Sequence, residues 1–518
     1  MSGRTPAAPR RGVAAGASAA AALVAALDAY VVVTLLVPIV GDLGVPLNHL
    51  ERATPVITGY LLGYVAAMPL LGGLSDRLGR RPIIQASLAA FAVGSAVSAA
   101  APSLAILVAG RVVQGAAGGA LLPVTFALIG DLWDERDRPL PLGLVGGCQE
   151  AGSLLGPLYG AGLAAVAGWR GVFWINLPLA ALAAVAIHRS VPARAGPVAA
   201  RAPIHPLGGL LSTASLAAII AGLYNPDPAA AALAPWGPWA LGAGCGGLAL
   251  FALWERRSPG PLLDLTGVDG RLFATSLGVS FLSGVALMSM LVNVPLVAQT
   301  LLGLDTLRAA LVLSRFLVAL PVGAVLGALL VRRLGERAVT VTGLACASVA
   351  YWLLAGWPPN VLEARHVIGA VSLPRMDVDL ALAGLGLGLV IAPLAVAALR
   401  ATGASQHGAA SAAVVLARTM GMLVGIAALA AWGLHRFQRL TSDLVPPLPF
   451  GVDPAVFAGQ LRVYEDAVAA ALRIEYREIF LITAGVCLVA ALLAARLPRA
   501  VTRRAPRTRE TGTPARSR

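Results

Sequence analysis

The sequence contains few charges and no lysine. Only 12% of its 518 residues are charged, 58% are hydrophobic, and all 39 basic residues are arginine. A soluble globular domain carries roughly twice that charged fraction. A water-soluble fold of this length cannot bury so much apolar surface, so the bilayer must be its solvent. Because lipid requires every backbone polar group to be paired internally, the sequence predicts an all-α polytopic membrane protein.

Cysteine and histidine are also scarce. The four cysteines and six histidines are scattered, with no C-x-x-C pair and no two histidines at ligand spacing. We therefore expect no disulfide, no metal site and no cofactor. The sequence contains no H-x-x-x-x-D, G-x-S-x-G, H-E-x-x-H or Walker motif, which argues against a membrane-embedded enzyme and against ATP-driven transport.

The net charge of +14 is of a size found in proteins that bind nucleic acid. Here, however, the arginines cluster at the ends of apolar runs, where they orient a chain in a membrane by the positive-inside rule. We expect no nucleic-acid partner. The same distribution predicts a multi-pass membrane protein with both termini in the cytoplasm.

Apolar windows of about 20 residues predict about fourteen transmembrane helices in a pattern of six, two and six. The first apolar run is too long for the hydrophobic region of a signal peptide, so it is assigned to the first span. The predicted spans are 13–40, 53–74, 83–101, 104–130, 142–167, 172–187, 207–224, 238–254, 272–297, 309–331, 339–357, 380–398, 409–434 and 479–497.

Two linkers rich in proline and arginine, 190–206 and 256–271, divide the chain. Residues 332–335 repeat the charged turn of residues 77–79, and internal repeats around a central site are usual in secondary transporters. The expected units are a six-helix bundle (1–190), a linker with two extra transmembrane helices (191–271), a second six-helix bundle (272–498) and a basic cytoplasmic tail (499–518).

One predicted extramembrane segment, 435–478, is unusually long. Its second part, 455–476, has apolar residues at spacings of three and four, which predicts an amphipathic helix. We expect this helix to extend the last two helices into the periplasm; the alternative is a helix lying flat at the membrane interface. Residues 358–378 show no helical period, and a short strand is expected at 371–373.

A glycine-rich charged turn, GGLSDRLGRR, follows the second predicted span. Glycine permits a tight turn and close helix approach, and aspartate and arginine side chains can bind helix ends. The turn resembles the G-x-L-x-D-R-x-G-R-[KR] signature of the major facilitator superfamily, which implies two six-helix bundles with a cytoplasmic latch between them. The matching residues are Gly72, Leu74, Asp76, Arg77, Gly79, Arg80 and Arg81.

Further motifs narrow the resemblance. Gly152, Gly156, Pro157 and Gly160 resemble the antiporter motif, in which small residues pack helices tightly and proline kinks the helix. Residues 169–178, WRGVFWINLP, resemble the W-R-x-x-F-x-I-N-x-P motif of the fourteen-helix drug:proton antiporters. In the first predicted span, Leu27-Asp28 resembles the Leu-Asp start of that group's first-span motif. Tyr30 stands where that group usually has threonine.

Several stretches are similar to the mycobacterial triacylglyceride exporters that work with a lipid-binding lipoprotein. They include residues 27–34, 60–72, 119–125, 149–160 and 406–434. This resemblance implies proton-coupled export of triacylglyceride or a related lipid toward a periplasmic carrier. A multidrug:proton antiporter is the alternative, because that group shares every broad motif. A receptor or scaffold without transport is a third.

Charges within predicted spans are rare and are functional candidates. Asp28 is the first choice as proton carrier, and Glu150 matches a glutamate of the exporter group and is assigned to proton coupling; helix pairing is the alternative for both. Arg418 and Arg111 are the expected counter-charges. Arg315 is expected to extend toward the membrane surface.

Overall fold

The computed structural model describes residues 8–498, except for gaps at 45–54, 192–205, 224–233, 258–267, 369–370, 404–405, 449 and 451–452. The predicted basic tail 499–518 and most of both predicted linkers lie outside the described residues.

A helix lies over each predicted span. The helices are α1 (Ala8–Asp42), α2 (Pro55–Leu78), α3 (Arg80–Ala99), α4 (Leu104–Leu132), α5 (Pro139–Trp174), α6 (Asn176–Ser190), α7 (Pro206–Leu223), α8 (Gly237–Arg257), α9 (Gly270–Thr300), α10 (Thr306–Ala355), α11 (Arg375–Gly388), α12 (Ile391–Ala401), α13 (His407–Thr441) and α14 (Pro454–Ala494).

The all-α polytopic class is confirmed. Within the described ranges, nine helices are long and apolar enough to cross a membrane, or ten if the bent pair Gly162–Trp174 and Asn176–Ser190 forms one span. The 50-residue α10 covers two predicted spans, and α11 with α12 covers one. The total of about fourteen crossings stays a prediction.

Two glycines with positive φ break the helices at equivalent points of the two halves. Gly79 (φ 95°) separates α2 from α3, and Gly335 (φ 79°) breaks α10. Both conformations are ones that a residue with a Cβ rarely adopts. The sequence repeat between residues 77–79 and 332–335 is therefore also a repeat of backbone geometry.

The helices pack around separate apolar cores in each half and meet in a shared one. Phe91 lies in the core of the N-terminal half and Phe316 in that of the C-terminal half. A third cluster joins Met68 and Leu142 to Leu399 and Val415, across the junction of the halves.

The segments at the predicted outer end have their own structure. A two-stranded antiparallel hairpin, β1 (Arg365–Ile368) and β2 (Val371–Pro374), precedes α11 and confirms the expected strand. The 41-residue α14 runs unbroken through the predicted amphipathic helix, which corrects the alternative of a separate flat helix. At 1.5 Å per residue it is about 60 Å long, twice the thickness of the hydrocarbon core.

We predict that Gly421→Ala lowers the melting temperature of the purified protein by several degrees. A Cβ at Gly421 would lie 1.9 Å from the backbone oxygen of Phe281, so α13 and α9 must separate, at a cost of about 1–3 kcal/mol. Thermal unfolding in mild detergent measures the change. Gly485→Ala in α14, where a Cβ meets open space, is the matched control. Equal melting temperatures for both variants would contradict this packing.

Candidate functional site

A buried ion pair joins α1 to α4. Asp28 is 2% exposed and Arg111 is fully buried. One guanidinium nitrogen of Arg111 donates to the Asp28 carboxylate and another donates to the Asp28 backbone oxygen at 3.1 Å. An unpaired arginine at this depth would cost several kcal/mol. The pair therefore stabilises two charges that neither helix could bury alone.

Two neutral amides complete this network. Asn176 of α6 donates to Asp28 Oδ1 at 2.7 Å, and Gln114 of α4 donates to the same oxygen at 3.3 Å. Gln114 also donates to Ser95 Oγ at 2.7 Å. Our sequence reasoning assigned no role to either amide. Asn176 stands inside the W-R-x-x-F-x-I-N-x-P motif, and for both residues an amide within an apolar run was the signal that could have identified it.

An aromatic ring covers the buried guanidinium. The Arg111 side chain lies 4.3 Å from the centroid of the Tyr60 ring in α2, a cation–π arrangement that helps compensate for lost hydration. The Tyr60 hydroxyl donates to the backbone oxygen of Ala25 at 2.9 Å. Four helices thus hold the pair in place: α1, α2, α4 and α6.

The predicted antiporter motif packs α5 against α1. A Cβ at Gly152 would lie 2.7 Å from the backbone oxygen of Leu23, so only a glycine permits this approach. Gly156 and Gly160 are buried. The side chain of Pro157 lies outside the described residues, and the predicted kink there stays a prediction.

A second ion pair, Glu150–Arg418, joins the two halves. Glu150 of α5 and Arg418 of α13 approach to 2.5 Å, with side chains only 9% and 17% exposed. The two arginines that we expected as counter-charges therefore pair with different acids: Arg111 with Asp28, and Arg418 with Glu150. Arg315 also has a partner, because it donates to Asp377 at 3.0 Å rather than only extending toward the surface.

A small cavity lies beside this second pair. It has a volume of about 40 Å³ and is lined by residues of both halves, among them Gln149, Ser280, Ser283 and Arg418. Pockets for drug-sized ligands measure roughly 300–1,000 Å³. Among the described residues, this cavity is therefore too small for a ligand of that size.

At one end of the bundle, the latch turn binds the opposite half. Both carboxylate oxygens of Asp76 accept backbone N–H bonds at 2.9 Å, from Gly408 and Ala409 at the start of α13. Unpaired amides at a helix N-terminus favour an anion. We call this end of the molecule, which carries Asp76, Arg80, Asp131 and His407, the latch end.

Arg80 is the centre of the latch end. Only 1% exposed, it lies 2.5 Å from Asp76 and 2.8 Å from Asp131. Asp131 in turn contacts His407 Nδ1 at 2.9 Å, across the junction of the halves. The sequence analysis predicted Arg80 and Asp76 as latch residues, but not Asp131 or His407. Arg81 binds within its own half, through the backbone oxygen of Val191 at 3.3 Å.

The other half repeats this arrangement with the charges exchanged. Arg80 directly follows Gly79, and Glu336 directly follows Gly335; Glu336 pairs with Arg400 at 2.7 Å. Arg400 also contacts Glu135 of the first half. The two halves are thus held together at the latch end by two charge clusters, each with one arginine between two carboxylates.

The W-R-x-x-F-x-I-N-x-P motif also binds α1 at its C-terminal end. Arg170 pairs with Asp42 at the end of α1, and the hydrogen bond from this guanidinium is the main reason that the pKa of Asp42 lies below its usual value. Trp169 Nε1 also donates to Asp42, at 3.3 Å. The Arg170 guanidinium lies 4.2 Å from the centroid of the Trp169 ring. One motif therefore reaches both Asp42 and, through Asn176, Asp28.

Residues 18–426 match the family described as Major Facilitator Superfamily. The chain belongs to this superfamily. It is 50% identical over 491 residues to the triacylglyceride transporter of Mycolicibacterium hassiacum, covering 93% of this chain and 91% of that protein. It is 46% identical over 493 residues to the triacylglyceride transporter of Mycobacterium tuberculosis, with coverages of 93% and 94%.

Solved structures show the same fold. The human organic anion transporter MFSD10 aligns with a TM-score of 0.60 at 18% identity, covering 94% of this chain and 99% of that one. The proton:xylose symporter XylE aligns with a TM-score of 0.59 at 15% identity, covering 94% and 96%. This facilitator is thus a multi-pass membrane transporter.

We predict that Asp76→Ala in this facilitator speeds hydrogen exchange of the Gly408 and Ala409 amides about tenfold or more, because both lose a charged acceptor. Transport slows while insertion into the membrane stays at the wild-type level. Hydrogen–deuterium exchange mass spectrometry over residues 406–412 measures the change. Asp134→Ala, an exposed acid in the adjoining turn, is the control. Unchanged exchange in Asp76→Ala would show that the latch contact does not hold α13.

Proposed function

We propose that this chain is a proton-coupled secondary transporter that exports triacylglyceride or a related lipid from the inner membrane toward a periplasmic lipid carrier. The single observation that carries the proposal is the Glu150–Arg418 pair, which bridges the two halves beside the central cavity. Protonating the glutamate removes one charge of the bridge. The attraction that holds the halves together at this point then falls.

Asp28 is the proton carrier in this proposal. Its carboxylate is paired with Arg111. A proton on Asp28 neutralises the acid and weakens the pair. The two acids lie on neighbouring helices, α1 and α5, which Gly152 lets pack closely. Protonation of Asp28 weakens the contact of α1 with α4, and protonation of Glu150 weakens the contact of α5 with α13.

The contacts at the latch end are consistent with the proposed direction of transport. Asp76, Arg80 and Arg400 join the halves there. By the arginine distribution, this end faces the cytoplasm. A transporter closed at its cytoplasmic end can open toward the periplasm, as the release step of the proposed export requires. Breaking the latch contacts returns the cavity to the cytoplasmic side.

The choice of cargo rests on the relatives and on the cavity. Proteins 46–50% identical over nearly the whole chain are named triacylglyceride transporters. The charged side chain among the described cavity residues is basic, Arg418, and leucine, valine and phenylalanine supply most of the lining. Because Arg418 is paired with Glu150 beside the cavity, the lining is predominantly apolar, which suits a neutral lipid.

The end of α13 and the start of α14 supply a surface for the carrier. The turn between them exposes large apolar side chains: Val445 is 83% exposed, Leu448 66% and Phe450 81%. Below the turn, Arg436 and Glu478 tie the two helices together with bonds of 2.8–3.0 Å. We define residues 445–450 as the tip and propose that it contacts a lipid-binding lipoprotein.

Transport into and out of proteoliposomes tests the coupling. With fluorescent triacylglyceride and an imposed pH gradient, we expect Asp28→Asn and Glu150→Gln each to reduce gradient-driven flux about tenfold or more, because each variant removes a titrating carboxylate. Glu465→Gln, at an exposed acid of α14, should keep the wild-type flux. If Glu150 and Arg418 act as a unit, the double change Glu150→Gln with Arg418→Gln costs no more than either alone.

Full gradient-driven flux in Asp28→Asn would remove that residue from the mechanism, and full flux in Glu150→Gln would reduce that residue to packing. Wild-type protein that moves a cationic dye but no triacylglyceride would instead identify a multidrug:proton antiporter.

A separate prediction concerns the tip. Replacing Leu448 and Phe450 together by serine should reduce lipid transfer to a purified periplasmic carrier severalfold, because two exposed apolar contacts are lost. Flux into empty acceptor vesicles should not change. Val463→Ser, at a 71% exposed residue of α14, is the matched control. Equal transfer by the double variant and the control would dismiss the tip as a docking surface.

A further inference from the structure

Asn176 stands at an unusual point of the fold. It is the first residue of α6 and directly follows the bend of 50° between Gly162–Trp174 and Asn176–Ser190. It is 3% exposed and belongs to neither of the two ion pairs. A polar amide buried this deeply must find partners within the protein.

Those partners belong to the Asp28 network. Asn176 Nδ2 lies 2.7 Å from Asp28 Oδ1, shorter than the 3.3 Å of Gln114 to the same oxygen. Asn176 Nδ2 is also 3.4 Å from Ser95 Oγ. Arg111 binds the other oxygen, Oδ2. Each carboxylate oxygen of Asp28 therefore accepts hydrogen bonds from its own donors. Of the two hydrogen bonds to Oδ1, the one from Asn176 is shorter than the one from Gln114.

An N–H donor distinguishes the two states of a carboxyl group. A carboxylate accepts the bond strongly, whereas the protonated acid accepts it weakly. The charged and titratable groups that face Asp28 are Arg111 from α4, Tyr60 from α2 and Tyr159 from α5. The Tyr159 hydroxyl is buried and has no hydrogen-bond partner among the described residues. Of these groups, only Arg111 carries a charge at neutral pH.

We propose that Asn176 is a positioning residue for proton uptake at Asp28: it holds the carboxylate in the geometry paired with Arg111 and so sets the pH at which the carboxyl group takes up its proton. This inference rests on the proposed proton-coupled function. Because Asn176 lies on α6 and Asp28 on α1, any movement of these helices apart removes the donor. Proton uptake is thereby linked to the helix arrangement.

The same motif fixes where Asn176 stands. Arg170 and Trp169 bind Asp42 at the end of α1, fourteen residues beyond Asp28, or about 21 Å along the helix. The C-terminal half of α1 is thus bound at two positions, Asp28 and Asp42, to the region where α5 meets α6. This explains why one short motif contains a tryptophan, an arginine and an asparagine at fixed spacing.

The pH dependence of transport in proteoliposomes tests the inference. With a substrate gradient and equal pH on both sides, we expect Asn176→Leu to move the acidic limb of the pH–rate profile to higher pH by about one unit. Asn176→Asp, which places a second acid beside Asp28, should move it further in the same direction. Asn293→Leu is the matched control: Asn293 is a buried amide in α9 that donates to the backbone oxygen of Ser289 at 2.9 Å, and its profile should keep the wild-type midpoint.

The outcomes separate this inference from the proposed function. Wild-type flux that is independent of pH would overturn both. The role of Asn176 alone would be overturned by the following pair of results. The wild-type profile has an acidic limb that Asp28→Asn abolishes, but the midpoint of that limb is unshifted in folded Asn176→Leu and Asn176→Asp. Size-exclusion chromatography establishes that each variant is folded.

Discussion

A charge placed in hydrocarbon must find an opposite charge, and this constraint organises the protein. Asp28 needs Arg111, and Glu150 needs Arg418. Neither acid could be buried without its arginine at a tolerable cost. The helix packing, the close approach at Gly152 and the ring of Tyr60 over the guanidinium all serve to bring these charges together. Protonating an acid would remove one charge of its pair and weaken it, which is the basis of the proposed proton coupling.

The two pairs differ in what they join. Asp28 and Arg111 lie within the N-terminal half, so their pair controls the internal shape of one bundle. Glu150 and Arg418 lie on opposite halves, so their pair controls how the bundles meet. At the latch end, the charge clusters around Arg80 and Arg400 impose a third restraint.

The sequence was sufficient for the class of fold and for the charged residues, because hydropathy and an acid within an apolar run are local signals. It could not pair the charges, since pairing depends on how each helix is rotated about its axis. Asp131 and His407 were not predicted because they are 276 residues apart, and only the packing of one half against the other brings them into contact. Gln114 and Asn176 were not predicted because burying a neutral amide in lipid costs far less free energy than burying a charge. An amide is therefore a weaker signal in the sequence.

The unbroken length of α14 has a mechanical consequence. A helix about 60 Å long is twice as long as the hydrocarbon core is thick, so about 30 Å of α14 exceeds what the core can cover. If the proposed export cycle rotates the C-terminal half by about ten degrees, the far end of such an arm moves sideways by about 5 Å. A part of that length converts a small rotation within the membrane into a displacement of several ångströms at its end.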